Sequence, residues 1–249
     1  MRVALALVAL TGCSQIFGLS EPVHAAQTDA ALVDALVDDV IEDVVVADAA
    51  VRLCDPTQAD LVACFDFEGS VESDTSAAIV VSASNYTFVS GRVGSAVHVD
   101  ATTTYTIGET TALDVAAVTT EAWIYVDALP AAGLRMGVWD TNGQYGMFIR
   151  DTGVIACTNG GLGVTSLTAV AANEWTHVAC TTSTAGVNVY KNGLVSASGP
   201  GTTIPTVATD GSVVGGNSPT GERFTGTIDS LRVYNSARSD QQICKAAGC

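Results

Sequence analysis

Glu68, Glu72 and Asp74 form the tightest group of carboxylates in the C-terminal part of the chain, and Asp229 stands far from them. Two carboxyl groups do acid–base work on a glycosidic bond when they face each other about 5–10 Å apart. Here the group surrounds the Glu68-Gly69 turn, and no strand-like run carries such a pair. The sequence also holds no Gly-x-Ser-x-Gly, no His-Glu-x-x-His and no phosphate-cradling glycine loop. His24, His98 and His177 are scattered and no Cys-x-x-Cys occurs, which leaves a zinc site without ligands at workable spacing. His177, two residues after Trp175 in a strand pattern, reads as a structural histidine whose ring is hydrogen-bonded. The chain is expected to bind rather than to catalyse.

Charge narrows the partners. The 249-residue chain carries a formal charge of −16. From Cys54 onward there are 18 Asp and Glu against 8 Lys and Arg, so that part alone carries −10. Such a field repels nucleic acid and anionic lipid, and no basic stripe offsets it.

The N-terminus reads as an export signal. Arg2 precedes the apolar run Val3 to Leu10, which is too short to span a bilayer. Leu10-Thr11-Gly12-Cys13 resembles the bacterial lipobox, so residues 1–12 are expected to be removed and Cys13 lipidated. An ordinary cut after Val23-His24-Ala25 is the other reading. Ser14 after the cysteine points to the outer membrane or cell surface, with the membrane met only through the lipid. Residues 13–53 then form an acidic Ala, Val and Asp-rich tether, read as an extended spacer, with a short amphipathic helix over 32–41 as the alternative.

Once Cys13 is set aside, six cysteines remain, an even number that implies disulfides in an exported chain. Cys157 and Cys180 both lie in strand-like runs and are expected to pair. The other four flank the domain ends. Cys64–Cys244 and Cys54–Cys249 would tie the first strand to the tail, and the local pairs Cys54–Cys64 and Cys244–Cys249 are the alternative.

The elements that must position these residues are strands. In 174–198, EWTHVACTTSTAGVNVYKNGLVSAS, apolar residues alternate through Val178, Cys180, Val187 and Val189, then break at Asn192-Gly193. Period-two alternation gives strands with one wet face, and Asn-Gly supplies the positive φ of a tight hairpin turn. Similar runs recur every eight to twelve residues: 61–67, 79–82, 95–99, 119–126, 135–140, 144–150, 154–158, 212–215 and 224–234. Only 239–246, capped by Ser239 or Asp240, reads as a helix. Long strand–helix alternation is absent, so a parallel sheet is excluded and an all-β antiparallel sandwich over 54–249 is expected. Trp123, Trp175, Phe65, Phe67 and Tyr234 are assigned to its core. Trp139, Asp140 and Tyr145 flank the Asn142-Gly143 turn, where they could stack on and bond to a sugar ring. Arg223 and Phe224, after a Gly and Pro-rich stretch, are comparable ligand-binding candidates.

The segments ACFDFEG, GSAVHVD, TTEAWIYVD, EWTHVACT, VYKNGLV and GTIDSLRVYNSARS resemble, in this order, the laminin G-like domains of the concanavalin A-like jelly-roll group. The resemblance covers nearly all of residues 58–243 and implies a two-sheet jelly roll. It implies a binding module for carbohydrate or an extracellular protein, with a structural envelope role as the alternative. A degenerate hydrolase or lyase is the third reading, although the Tyr, basic residue and His or Gln that lyases of this fold require form no visible cluster. Finally, it implies a structural Ca²⁺ held by Asp229, with oxygens near the Glu68-Gly69 turn, and the equal alternative is that Asp229 accepts hydrogen bonds from backbone N–H groups at a turn.

Overall fold

Alternation of apolar with polar residues builds the whole domain. In the computed structural model the described residues are 54–75, 77–160, 162–205, 211–217 and 221–249. The signal segment, Cys13 and the acidic tether lie outside them.

The strands are β1 (Leu61–Phe65), β2 (Val81–Ser84), β3 (Thr87–Ser90), β4 (Ser95–Val99), β5 (Thr104–Ile107), β6 (Val118–Val126), β7 (Arg135–Thr141) and β8 (Tyr145–Arg150). They continue with β9 (Val154–Asn159), β10 (Leu162–Ala169), β11 (Trp175–Thr182), β12 (Val187–Lys191), β13 (Leu194–Gly199), β14 (Ser212–Val214) and β15 (Gly226–Tyr234). One helix, α1 (Asp240–Ala247), ends the chain.

Every ladder between these strands is antiparallel, and the result is a two-sheet jelly-roll sandwich. The first sheet runs β13-β12-β11-β6-β15-β4-β3, with β1 beside the second half of β15. The second runs β10-β9-β8-β7-β14-β5-β2. Inward-facing residues of both sheets meet in one core, with Phe65, Phe67, Tyr105, Trp139 and Met147 among its largest members. The expected hairpin at Asn192-Gly193 is present with φ of 49° and 79°, and Asn192 also ties the turn to β11 by accepting from the His177 N–H at 3.0 Å.

A bulge divides β15. Asp229 faces Trp123 and Arg232 faces Glu121, so one extra residue sits between them, and Ser230 absorbs it at a φ of 51°. Asp229 and Arg232 therefore share the outer face, while Ile228, Leu231 and Val233 stay in the core.

Three disulfides close: Cys157–Cys180, Cys54–Cys64 and Cys244–Cys249. The first joins β9 of one sheet to β11 of the other. The terminus-spanning pairs Cys64–Cys244 and Cys54–Cys249 do not form. The first strand and the tail are each closed locally, with Cα atoms 5.6 and 5.1 Å apart, because Cys54 and Cys64 flank one short turn and Cys244 and Cys249 flank the end of α1.

Candidate functional site

The second sheet carries a hollow on its outer face where glycines replace side chains among its outward residues. Along β8, Tyr145, Met147 and Ile149 point into the core, so Gly146, Phe148 and Arg150 point out. Their neighbours are Asp140, Gly137 and Arg135 on β7, and Thr158 and Ala156 on β9, with Gly163 of β10 next to Thr158. The glycines are needed here. A Cβ on Gly146 would lie 2.7 Å from Asp140 Oδ1, and one on Gly137 would collide with the Gly216 carbonyl.

The cleft over this floor has a volume of about 310 Å³, with Asp140, Gln144, Arg150, Thr158 and Asn217 on its walls. Phe148 is buried at its centre, and the Arg135 guanidinium lies 3.9 Å above the ring. Arg135 Nε donates to both Glu222 oxygens at 2.8 and 2.9 Å, and Asn217 Nδ2 donates to Glu222 Oε2 at 2.7 Å. Partial burial acts to raise the Glu222 carboxyl, but these hydrogen bonds outweigh it and hold the group below the usual carboxylate range. Gln144 donates to Asp114 Oδ1 at 2.6 Å, and its own carbonyl oxygen is buried without a partner. A second hollow of about 450 Å³ adjoins along Gly133, Leu134 and Glu222 and shares Arg135 and Arg150 with the first.

The structure separates the ligand-binding residues expected from sequence. Asp140 and Tyr145 line the cleft. Tyr145, however, is almost wholly buried, donates to the Leu113 carbonyl at 3.0 Å, and has its phenol pushed up by burial. Trp139 is a core residue, fully buried and bonded through Nε1 to Thr141 Oγ1 at 3.0 Å. A bulge between Gly137 and Trp139 turns it inward. Phe224 is likewise fully buried, and Arg223 is partly exposed next to Glu222.

The carboxylates expected to hold calcium have other work. Asp229 is buried, and its Oδ2 accepts the Arg92 and Val93 amides at 2.7 and 3.0 Å while Oδ1 accepts Ser230 Oγ at 2.9 Å. Burial pushes this carboxyl up, and the hydrogen bonds pull against it. Glu68 accepts the Ser95 amide at 3.1 Å. Hydrogen donors aimed at the carboxylates suit anions holding a turn, not a hard cation that wants six to eight oxygens, so the donor set does not fit Ca²⁺. Cys54, Asp66 and Asp74 also place ligand atoms within 4.8 Å of one another, but the Cys54 sulfur is bonded to Cys64 and offers no thiolate.

On the outer face of the first sheet two features escaped the sequence reading. Trp123 and Trp175 are not core residues. With Tyr125 they lie half-buried on that face, Tyr125 and Trp175 with ring centroids 5.7 Å apart and Arg92 4.7 Å over Trp123. Their register, alternating with Ile124 and Val126, is the signal that places them outside. Beside them, Glu121, His177, Arg232 and Tyr234 converge from three strands. Arg232 Nε and Tyr234 Oη both lie 3.1 Å from Glu121 Oε1, and His177 Nε2 lies 3.6 Å from Oε2. Such a Tyr, Arg and His grouping was not visible in sequence. All four are at most 5 % exposed, so no substrate reaches them. Neither ring nitrogen of His177 has a hydrogen-bond partner, contrary to the satisfied histidine expected.

Residues 99–244 match the laminin G family model described as the concanavalin A-like lectin/glucanases superfamily. The chain belongs to that superfamily. Among solved structures, this superfamily domain is similar to domain 4 of AbnA, a GH43 extracellular arabinanase from Geobacillus stearothermophilus, in complex with arabinotriose. The TM-score is 0.61 at 17 % identity, over 76 % of this chain and 98 % of that one. It is also similar to the binding domain of Paraclostridial Mosquitocidal Protein 1 (TM-score 0.62, 14 % identity, 76 % of this chain and 52 % of that one). The binding domain of botulinum neurotoxin serotype G gives a TM-score of 0.61 at 9 % identity, over 76 % and 51 %. The chain spans about half the length of these two toxin domains. No curated protein sequence is significantly similar to it.

Proposed function

We propose that the protein is a non-catalytic saccharide-binding module and that the cleft over Phe148 is its binding site. The observation that carries this is a hollow on an open sheet face, floored by glycines and walled by Asp140, Gln144, Arg150, Thr158 and Asn217. A few convergent polar groups on a mostly rigid concave floor are what orient a small ligand. The exposed Arg150 offers donors to sugar hydroxyls. The arabinotriose complex of the similar arabinanase domain supports the ligand class. Export, lipidation at Cys13 and display from the outer membrane on the acidic tether belong to the same proposal.

A glycan array of the full chain, with and without Ca²⁺, tests it. Hydrogen bonds to charged groups are worth about 1.5–3 kcal/mol. Arg150→Ala is therefore expected to weaken the best glycan about tenfold or more, calcium to change nothing, and an array without hits to end the proposal.

The other reading is a protein partner docked on the first sheet. The half-buried Trp123, Tyr125 and Trp175 with Arg92 favour it, since Trp, Tyr and Arg dominate protein contacts.

A further inference from the structure

Arg135 and Arg150 face each other across β7 and β8 on the outer side of the sheet, and both line the saccharide cleft and the hollow beside it. The Asp151 amide donates to the Leu134 carbonyl at 3.1 Å, so the neighbouring Arg135–Arg150 pair falls at the close, non-hydrogen-bonded register, with Cα atoms about 4.5 Å apart. Like charges set directly opposite one another destabilise a sheet. From Cys54 onward the chain has only 8 Lys and Arg against 18 Asp and Glu, yet two of the eight meet here.

Glu222 relieves this only in part. It engages Nε of Arg135, and Phe148 takes one face of the guanidinium, which leaves both Nη groups for other acceptors on a side chain 30 % exposed. Arg150 is exposed and joins no ion pair among the described residues. Two guanidinium forks therefore stand side by side at the rim of the Phe148 floor, and such forks pair bidentately with oxyanions. The acidic field of the domain opposes a long polyanion, so one acidic group on an otherwise neutral saccharide suits the site better than a charged polymer.

We propose that the ligand of the cleft is an acidic saccharide whose oxyanion, a uronate carboxylate or a sulfate ester, is held between Arg135 and Arg150. This deepens the saccharide reading and rests on it.

Calorimetric titration of the full chain with two pairs of probes tests the assignment. The first pair is xylotriose carrying one glucuronic acid and its methyl ester, in which the carboxylate is neutralised. The second is lactose 3′-sulfate and lactose. Charge-assisted hydrogen bonds are about twice as strong as neutral ones, so the acidic member of at least one pair is expected to bind about tenfold tighter or better, and that pair names the oxyanion. Arg150→Gln, a change at an exposed position, is expected to erase the ratio. Glu222→Gln releases Arg135 from its carboxylate and is expected to widen it. Acidic probes that bind no tighter than their neutral partners in the unaltered protein overturn the arginine pair, and neutral glycans bound on the array then leave the cleft standing. A ratio that survives Arg150→Gln, or that Glu222→Gln narrows, overturns the pair likewise. Failure of all four probes and of every array glycan overturns both proposals.

Discussion

His177 illustrates how much a single residue's surroundings decide. It sits at 0 % exposure with Trp123 against its ring, Glu121 3.6 Å from Nε2, and Arg232 and Tyr234 on the same carboxylate. Burial first, and the Arg232 charge second, push its imidazole down to about 3 from 6.5, so it is neutral in the folded protein at neutral pH. The unfolded chain binds a proton below about pH 6.5 that the folded chain refuses until about pH 3, so stability is full above that window and falls as pH drops through it. One such proton is worth about 1.4 kcal/mol per pH unit. Urea titrations between about pH 6 and pH 4.5 are expected to show His177→Gln losing stability less steeply than the unaltered chain, by about that slope. Parallel curves would mean that Glu121 holds the imidazolium after all. At this scale the sequence was least legible. Alternation tells that Trp123 and Trp139 lie on strands, but not which side is wet. A bulge before Trp139 put it in the core, and a sheet whose outer face is aromatic left Trp123 half outside.

The elements were easier to read wherever apolar periodicity or turn chemistry was strong. The Asn192-Gly193 hairpin and the final helix lie within a residue of where the pattern puts them. Strands β3, β5 and β10 were missed, because TFVS, TYTI and LGVTSLTA are rich in Thr, Ser and Gly. Two of them, β3 and β10, are edge strands whose side chains mostly face water, Val164 and Ser166 of β10 excepted, and need no apolar stripe. Helix α1 rests on both local and tertiary support. Ser239 caps it in a reciprocal box with Gln242, Gly248 ends it at a φ of 83°, and Ile243 is buried against Ala179 and Tyr190. Tyr190 Oη also donates to Asp240 Oδ1 at 2.8 Å. Removing the cap in Ser239→Ala is expected to cost about 1 kcal/mol. Ile243→Ala is expected to cost about 2–5 kcal/mol, because it opens a cavity under the helix. Chemical denaturation of the two variants should rank them in that order, and the reverse order would mean that capping rather than packing holds the helix down.

At the scale of the molecule, two sheets share one apolar core, and a covalent link crosses between them. Cys157 on β9 and Cys180 on β11 close a loop of 23 residues, against 10 and 5 for the local pairs. In the chain-entropy account, stabilisation grows with the logarithm of loop length, from about 2 kcal/mol for the shortest of these to about 3.4 kcal/mol for the longest. The cross-sheet pair also ties β9 of one sheet to β11 of the other. Replacing both cysteines by alanine is therefore expected to lower the melting temperature by about 7–14 °C, taking about 2–4 °C per kcal/mol for a domain of this size. Loss of the tail pair should lower it by less. Equal shifts for the two variants would show that loop length does not decide what each bond contributes.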